Sequence, residues 1–266
     1  MIVVESSIPE IIENYHPLEM LGLGMVSITS RNHNIIFRKG IGTPLLNKLI
    51  KVYKKQIIEK KEGKIIELLG SFTVYIHFYE LEREIVTIFY VNEKDKLIKY
   101  EKLCSISNIL LRCYCSNVSD LELNRICNKI IPCVKGISAL FIVYTSGHAL
   151  FAKVNKDKQF LAKNYIQVSG FISAILAFSK EVIGKESGES LQAINFENEK
   201  FFVHLRGDII FAYLIDKKNE PKNLDRFIHL IADEFIERFN DELKDFHGDV
   251  TAFSEFERIV DNYLLI

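Results

Sequence analysis

One order of elements occurs twice along this chain, and the doubling restricts the fold more than any single motif. In the second half, Ile137 to Thr145 is a β-branched and aromatic run that ends at Ser146-Gly147, and Ala149 to Val154 follows as its hairpin partner. From Tyr165 to Ile183 large apolar residues recur at helical spacing, and Gly184 stops the run. Leu191 to Phe196, Phe201 to Leu205 and Ile209 to Ile215 then read as strands of an antiparallel meander, joined by Asn198 to Lys200 and by Arg206-Gly207-Asp208. Leu224, Phe227, Ile228, Ile231, Phe235, Phe239 and Leu243 predict one long amphipathic helix. After a break at His247-Gly248-Asp249 a last helix starts near Thr251, with Ser254 and Glu257 at capping-box spacing.

The first half repeats this order. Gly24 to Thr29 and Ile35 to Lys39 form a hairpin, and Pro44 to Glu59 is a helix with proline in its first turn, where the missing N–H costs nothing. Lys64 to Leu69, Phe72 to Tyr79 and Ile85 to Val91 are three further strands, and helices near Leu97 to Cys115 and Leu121 to Ile131 close the unit. The reading is therefore α+β throughout, with an N-terminal extension over 1–21, one domain over 22–134 and a second over 135–266. A length of 266 residues leaves about 130 for each half, a common domain size.

The charge balance excludes some function classes. With 34 Lys and Arg against 35 Asp and Glu the net charge is -1, so no global field draws the chain to nucleic acid or to an anionic surface. The first ten residues carry Glu5 and Glu10 and lack a basic n-region, which argues against a signal peptide and for a cytoplasmic protein. Tyr165 to Ser179, the most apolar stretch, is interrupted by Gln167, Ser169 and Ser173 and falls short of the roughly 20 residues of a membrane span.

Residue types that carry chemistry are present but not grouped. The five cysteines lie between Cys104 and Cys133 without a CxxC pair or a nearby histidine, so they are expected to be free thiols within helices. Gly184-Lys185-Glu186-Ser187-Gly188 has the composition of a phosphate loop in the wrong order, and it follows a helix. Seven histidines are scattered. His77 and His204 occupy matching fourth strands, where a packing role is the ordinary expectation, and no carboxylate pair or nucleophile completes a catalytic geometry. No catalytic residue, cofactor or metal is assigned.

The helix from Tyr165 is apolar or small all round. Phe171, Ile175 and Phe178 are expected to face the sheet, and the small face made by Ser169, Gly170, Ser173, Ala174 and Ala177 to contact a partner or the other domain. The matching helix of the first half carries Asn47, Lys48, Lys51, Lys54 and Lys55 on a solvated side.

At this point the second half resembles a known family. Leu140-Phe141-Ile142-Val143, Ser146-Gly147 and Leu150-Phe151 resemble the opening hairpin of longin domains, and Val168-Ser169-Gly170-Phe171-Ile172-Ser173-Ala174-Ile175 resembles the first helix of archaeal longin-like proteins. Phe246 to Phe253 resembles the break between their last two helices, and the match spans Gly136 to Ile266. The first half is similar in element order alone. The resemblance implies two consecutive longin-like domains of the profilin and roadblock type, each a five-stranded antiparallel sheet with one helix on one face and two on the other. It also implies a partner class and no reaction: a platform for a small GTPase or for another longin or roadblock-type protein, possible homo- or hetero-oligomers, and a setting in vesicle trafficking. An adaptor subunit without GTPase contact is the second expectation, and an enzyme the third.

Overall fold

A computed structural model describes residues 20–70, 72–94, 98–131, 133–184, 191–221 and 224–266. The chain divides into two compact units, Met1–Pro132 and Cys133–Ile266, and each is built around one five-stranded antiparallel sheet. Nearly all of the expected N-terminal extension, and Lys185 to Gly188 of the glycine-bearing loop, lie outside the described residues.

In the first unit β1 (Gly22–Ile28), β2 (His33–Lys39), β3 (Gly63–Leu69), β4 (Phe72–Glu80) and β5 (Ile85–Glu93) are ordered β2-β1-β5-β4-β3. The two-residue period decides which side chains go where. Leu23 and Met25 face helices α2 (Tyr100–Cys115) and α3 (Asp120–Ile130), whereas Val26 and Ile28 face helix α1 (Thr43–Lys60). All of β1 and nearly all of β5 is buried, because both faces of these central strands are covered. Helix α1 lays Leu46, Leu49, Ile50, Tyr53 and Ile57 on the sheet and turns Asn47, Lys48, Lys51 and Lys55 to solvent. The lysines therefore have the solvated face that their spacing predicts.

The second unit repeats the topology as β7-β6-β10-β9-β8, with β6 (Ile137–Tyr144), β7 (Ala149–Val154), β8 (Ala193–Asn195), β9 (Glu199–Arg206) and β10 (Ile209–Asp216). Between β7 and β8 stand helices α4 (Gln159–Lys163) and α5 (Tyr165–Ser179), followed by a π-helical turn over Lys180–Gly184. Helices α6 (Leu224–Arg238), α7 (Asn240–Lys244) and α8 (Glu257–Tyr263) complete the unit. The register of β10 against β6 skips Ser138, so Ile137 and Leu140 point to the same face, toward the layer of α6 and α8. Each unit thus carries its first long helix on one face of the sheet and its last two on the other. Gly136, at φ 92°, admits no side chain, since a Cβ there would lie 2.1 Å from the carbonyl oxygen of Asn219.

The structure departs from the sequence reading at several ends. The helix expected to run unbroken from Leu224 to Leu243 is interrupted at Phe239, whose φ of -110° lies outside the helical range. The chain of hydrogen bonds still passes through, Phe239 N–H to Phe235 and Leu243 N–H to Phe239, so the apolar spacing persists across the bend. The capping box at Ser254 and Glu257 does not form. The Ser254 hydroxyl donates back to the Thr251 carbonyl, and Asp249 instead accepts from both the Thr251 N–H and hydroxyl, starting a 3-10 turn over Thr251–Phe256 before α8. The strand expected over Leu191 to Phe196 holds only Ala193–Asn195, and α4 had no sequence signal of its own.

Candidate functional site

Among the described residues helix α5 is the one long helix whose outer face is apolar. It contains no charged residue from Tyr165 to Ser179. It meets the sheet through its small side chains: Ser169, Ile172, Ser173 and Ser179 are buried, and Ile172 packs among Phe141, Phe201, Val203 and Ala212. Small residues let the helix axis approach the strands closely, and the serine hydroxyls find local acceptors. Ser169 donates to the Tyr165 carbonyl at 2.8 Å, and Ser173 to the Thr145 carbonyl at 2.6 Å.

This orientation corrects the expected one. Ser169 and Ser173 belong to the sheet-facing side, so they are not available to a partner, while Gly170, Ala174 and Ala177 are exposed. Phe171 and Phe178 point outward instead of into the core, at 44% and 66% exposure, and Ile166 and Val182 stand out with them at 60% and 57%. The error has a physical source. Two apolar stripes compete on this helix, and the hydrophobic period alone ranks bulky phenylalanine above serine for the core. Close helix-to-sheet approach and satisfied hydroxyls reverse that order here.

The result is an outer helix face that exposes large apolar side chains together with glycine and alanine. Such faces mark contact surfaces, because each large side chain removed from water contributes about 1.5–3 kcal/mol. No single helix among the described residues is long and apolar enough to cross a membrane.

The polar clusters offer less to a substrate. In the first unit His77 Nδ1 and the Ser107 hydroxyl are 2.8 Å apart, and Tyr90 OH reaches the same hydroxyl at 2.6 Å. This has the outline of a base and a nucleophile. Both side chains are sealed, however, His77 at 1% and Ser107 at 0% exposure, and the third neighbour is a phenol and not a carboxylate. Burial, and to a lesser degree Lys64, pushes His77 down to about 4, so the ring is neutral near pH 7. The cluster is a packed hydrogen-bond network under α2. Just outside it Lys64 Nζ lies 3.3 Å from Cys104 Sγ and 4.5 Å from the centre of the Tyr100 ring.

In the second unit the matching strand histidine, His204, stacks edge-on against His229 with ring centres 4.4 Å apart. Burial lowers its pKa most, and the nearby His229 and Arg206 lower it further, while Asp233 opposes them. This pair joins β9 to α6, a relation that no local spacing reveals. Glu84 accepts hydrogen bonds from the Ser27 hydroxyl and from Tyr114 OH, and the phenol is pushed up to about 12 by burial and by that carboxylate. Among the described residues no group of three or more His, Cys, Asp or Glu is placed to hold a metal ion.

The cysteines divide by environment. Cys113 and Cys127 are buried, Cys104 and Cys133 half-buried, and Cys115 exposed. None of the five is in a disulfide, but only four lie in helices: Cys133 sits outside them, before β6, and its thiol donates toward the backbone carbonyl of Asp261.

No protein-family model matches the chain, and no curated protein does. Among solved structures the chain is similar to Myxococcus xanthus MglB, at 13% identity and a TM-score of 0.29, over 45% of this chain and 78% of that one.

Proposed function

We propose that this protein is a non-enzymatic interaction platform that binds a small GTPase, and that the outer face of α5 is where the GTPase docks. The observation that carries the reading is the exposed apolar face of Ile166, Phe171 and Phe178, with the buried serines of the same helix turned to the sheet behind it. The corresponding helix of the first unit, α1, presents lysines on that side, so the apolar surface is particular to the second unit and not a property of the fold. The resemblance of residues 136–266 to longin-like proteins supplies the partner class. A platform also accounts for a chain in which the candidate base and nucleophile are sealed.

The test is binding of purified small GTPases from the same genome, presented with GDP, with a GTP analogue and free of nucleotide, to the full chain and to Phe178→Glu. Binding that depends on the nucleotide and is lost in Phe178→Glu supports the reading. Preference for the nucleotide-free form would make the protein an exchange factor, and preference for the GTP form an effector. Absence of binding in all three states overturns it and leaves the adaptor role.

A further inference from the structure

Among the described residues strand β7 is the outer strand of the second sheet and pairs with β6 alone. An open edge is a template for another strand, and proteins commonly blunt it with shortness, proline or exposed charge. The opposite edge, β8, is blunted in this way, with only three residues. β7 has six residues, no proline, and a single charge, Lys153. That lysine does not guard the edge: its side chain is held at 13% exposure between Glu257 and Asp261.

A groove of about 600 Å³ runs along this strand. One wall is Ala162 and Tyr165, and the other is Val250, Ser254 and Glu257. None of the six β7 residues is exposed, although they form an edge, so both helical layers extend past the strand and leave a slot between them. We infer that this slot takes up an extended peptide segment of a partner protein, which adds to β7 as a sixth strand and carries basic residues on one face and small apolar residues on the other.

Three features select this occupant. The Asn155 N–H donates to the Ser138 carbonyl, which sets the phase of the β6–β7 ladder. In an antiparallel ladder the hydrogen-bonded pairs alternate, so Phe151 and Lys153 bond to β6, while Ala152 and Val154 turn their N–H and C=O groups into the slot. The two faces of the slot differ in chemistry. On the side of Lys153 the carboxylate of Glu257 lines the slot, is 63% exposed and shares the Lys153 ammonium with Asp261, so it remains open to a lysine or arginine of the peptide, although Lys156 also lines the slot. On the side of Ala152 and Val154 the wall is Ala162 and Tyr165, which suits small apolar side chains. The recess admits a single chain more readily than the edge of a second folded domain, because the walls stand on both sides of the strand.

The proposal is independent of the docking face on α5. Its probe is a fluorescein-labelled peptide that alternates lysine and valine over the length of β7, followed by fluorescence anisotropy against the full chain. Saturable binding is expected. Methylating alternate amide nitrogens of the peptide keeps every side chain but removes the ladder, and should weaken binding about tenfold or more, which is about 1.4 kcal/mol. Ala152→Pro should do the same from the protein side, since proline is tolerated on an edge strand and removes an outward N–H. Glu257→Gln should weaken the lysine peptide and leave a serine-valine analogue unaffected. Absence of saturable binding overturns the inference, as does equal binding of the methylated peptide, a result that needs no folded variant. A dimer in light scattering that Ala152→Pro dissociates would place a second copy in the slot and also overturn it.

Discussion

The Ser173 hydroxyl donates to the carbonyl oxygen of Thr145 at 2.6 Å, which ties the middle of α5 to the end of the first strand of its own sheet. Ser173 is 7% exposed, so the residue belongs to the helix-to-sheet seam. Ser173→Ala should lower stability by about 1 kcal/mol, the usual net value of such a bond. Ser173→Arg should cost several times more, because a guanidinium would have to be buried beside Ile172 or force the helix off the strands. Thermal melting of the two variants checks the order. An unchanged melting temperature in Ser173→Arg would show that the seam is not closed.

Phe178 behaves in the opposite way. At 66% exposure its ring makes few contacts that folding depends on, so Phe178→Glu should change stability by no more than about 0.5 kcal/mol. The solubility of the isolated chain should rise, as an apolar patch is interrupted. Paired measurements of the melting temperature and of the aggregation onset are sufficient. A large loss of stability would mean that Phe178 is packed against something, contrary to its exposed position.

The contrast between these two residues shows how far the sequence carries. Element order, strand alternation and the stop at Gly184 are local signals, and they place both sheets and most helices, including the buried stripe of α1 from Leu46 to Ile57. Which side of α5 faces inward is not a local property. It depends on how closely the helix approaches β6 and on whether a hydroxyl such as that of Ser173 meets a carbonyl, and both are set by the tertiary structure. The same holds for His204 beside His229, which are brought together from a strand and a helix, and for the slot along β7, whose walls come from distant parts of the chain. Phe239 adds a further case, where the apolar spacing continues through a bend that the period cannot register.

Alkylation should order the thiols by their surroundings. Cys115 is exposed at the end of α2, while burial raises the Cys113 and Cys127 thiols above their ordinary value and removes them from solvent. Iodoacetamide at neutral pH should therefore modify Cys115 first, and Cys127 only as the first unit unfolds. Mass spectrometry of a time course reads the sequence of events directly. Early modification of Cys127 in the folded chain would contradict the packing of α3 on the sheet.

His77 should make stability depend on pH in mildly acidic solution. Its folded value of about 4 lies below the 6.5 of an unfolded chain, since burial beneath α2, aided by Lys64, disfavours the imidazolium. Between those two values the unfolded state binds the extra proton and the folded state does not. Stability therefore rises with pH across the window, is fully present above about 6.5, and falls as the pH drops toward 4, by up to about 3 kcal/mol. His204, whose value is also lowered, adds to the same trend from the second unit. His77→Gln keeps a donor and an acceptor near Ser107 but cannot titrate, so it should flatten the contribution of the first unit without abolishing folding at pH 7. Urea titrations of the parent and the variant at pH 7 and pH 5 measure the difference. If the two proteins lose equal stability on acidification, His77 is not the group that titrates.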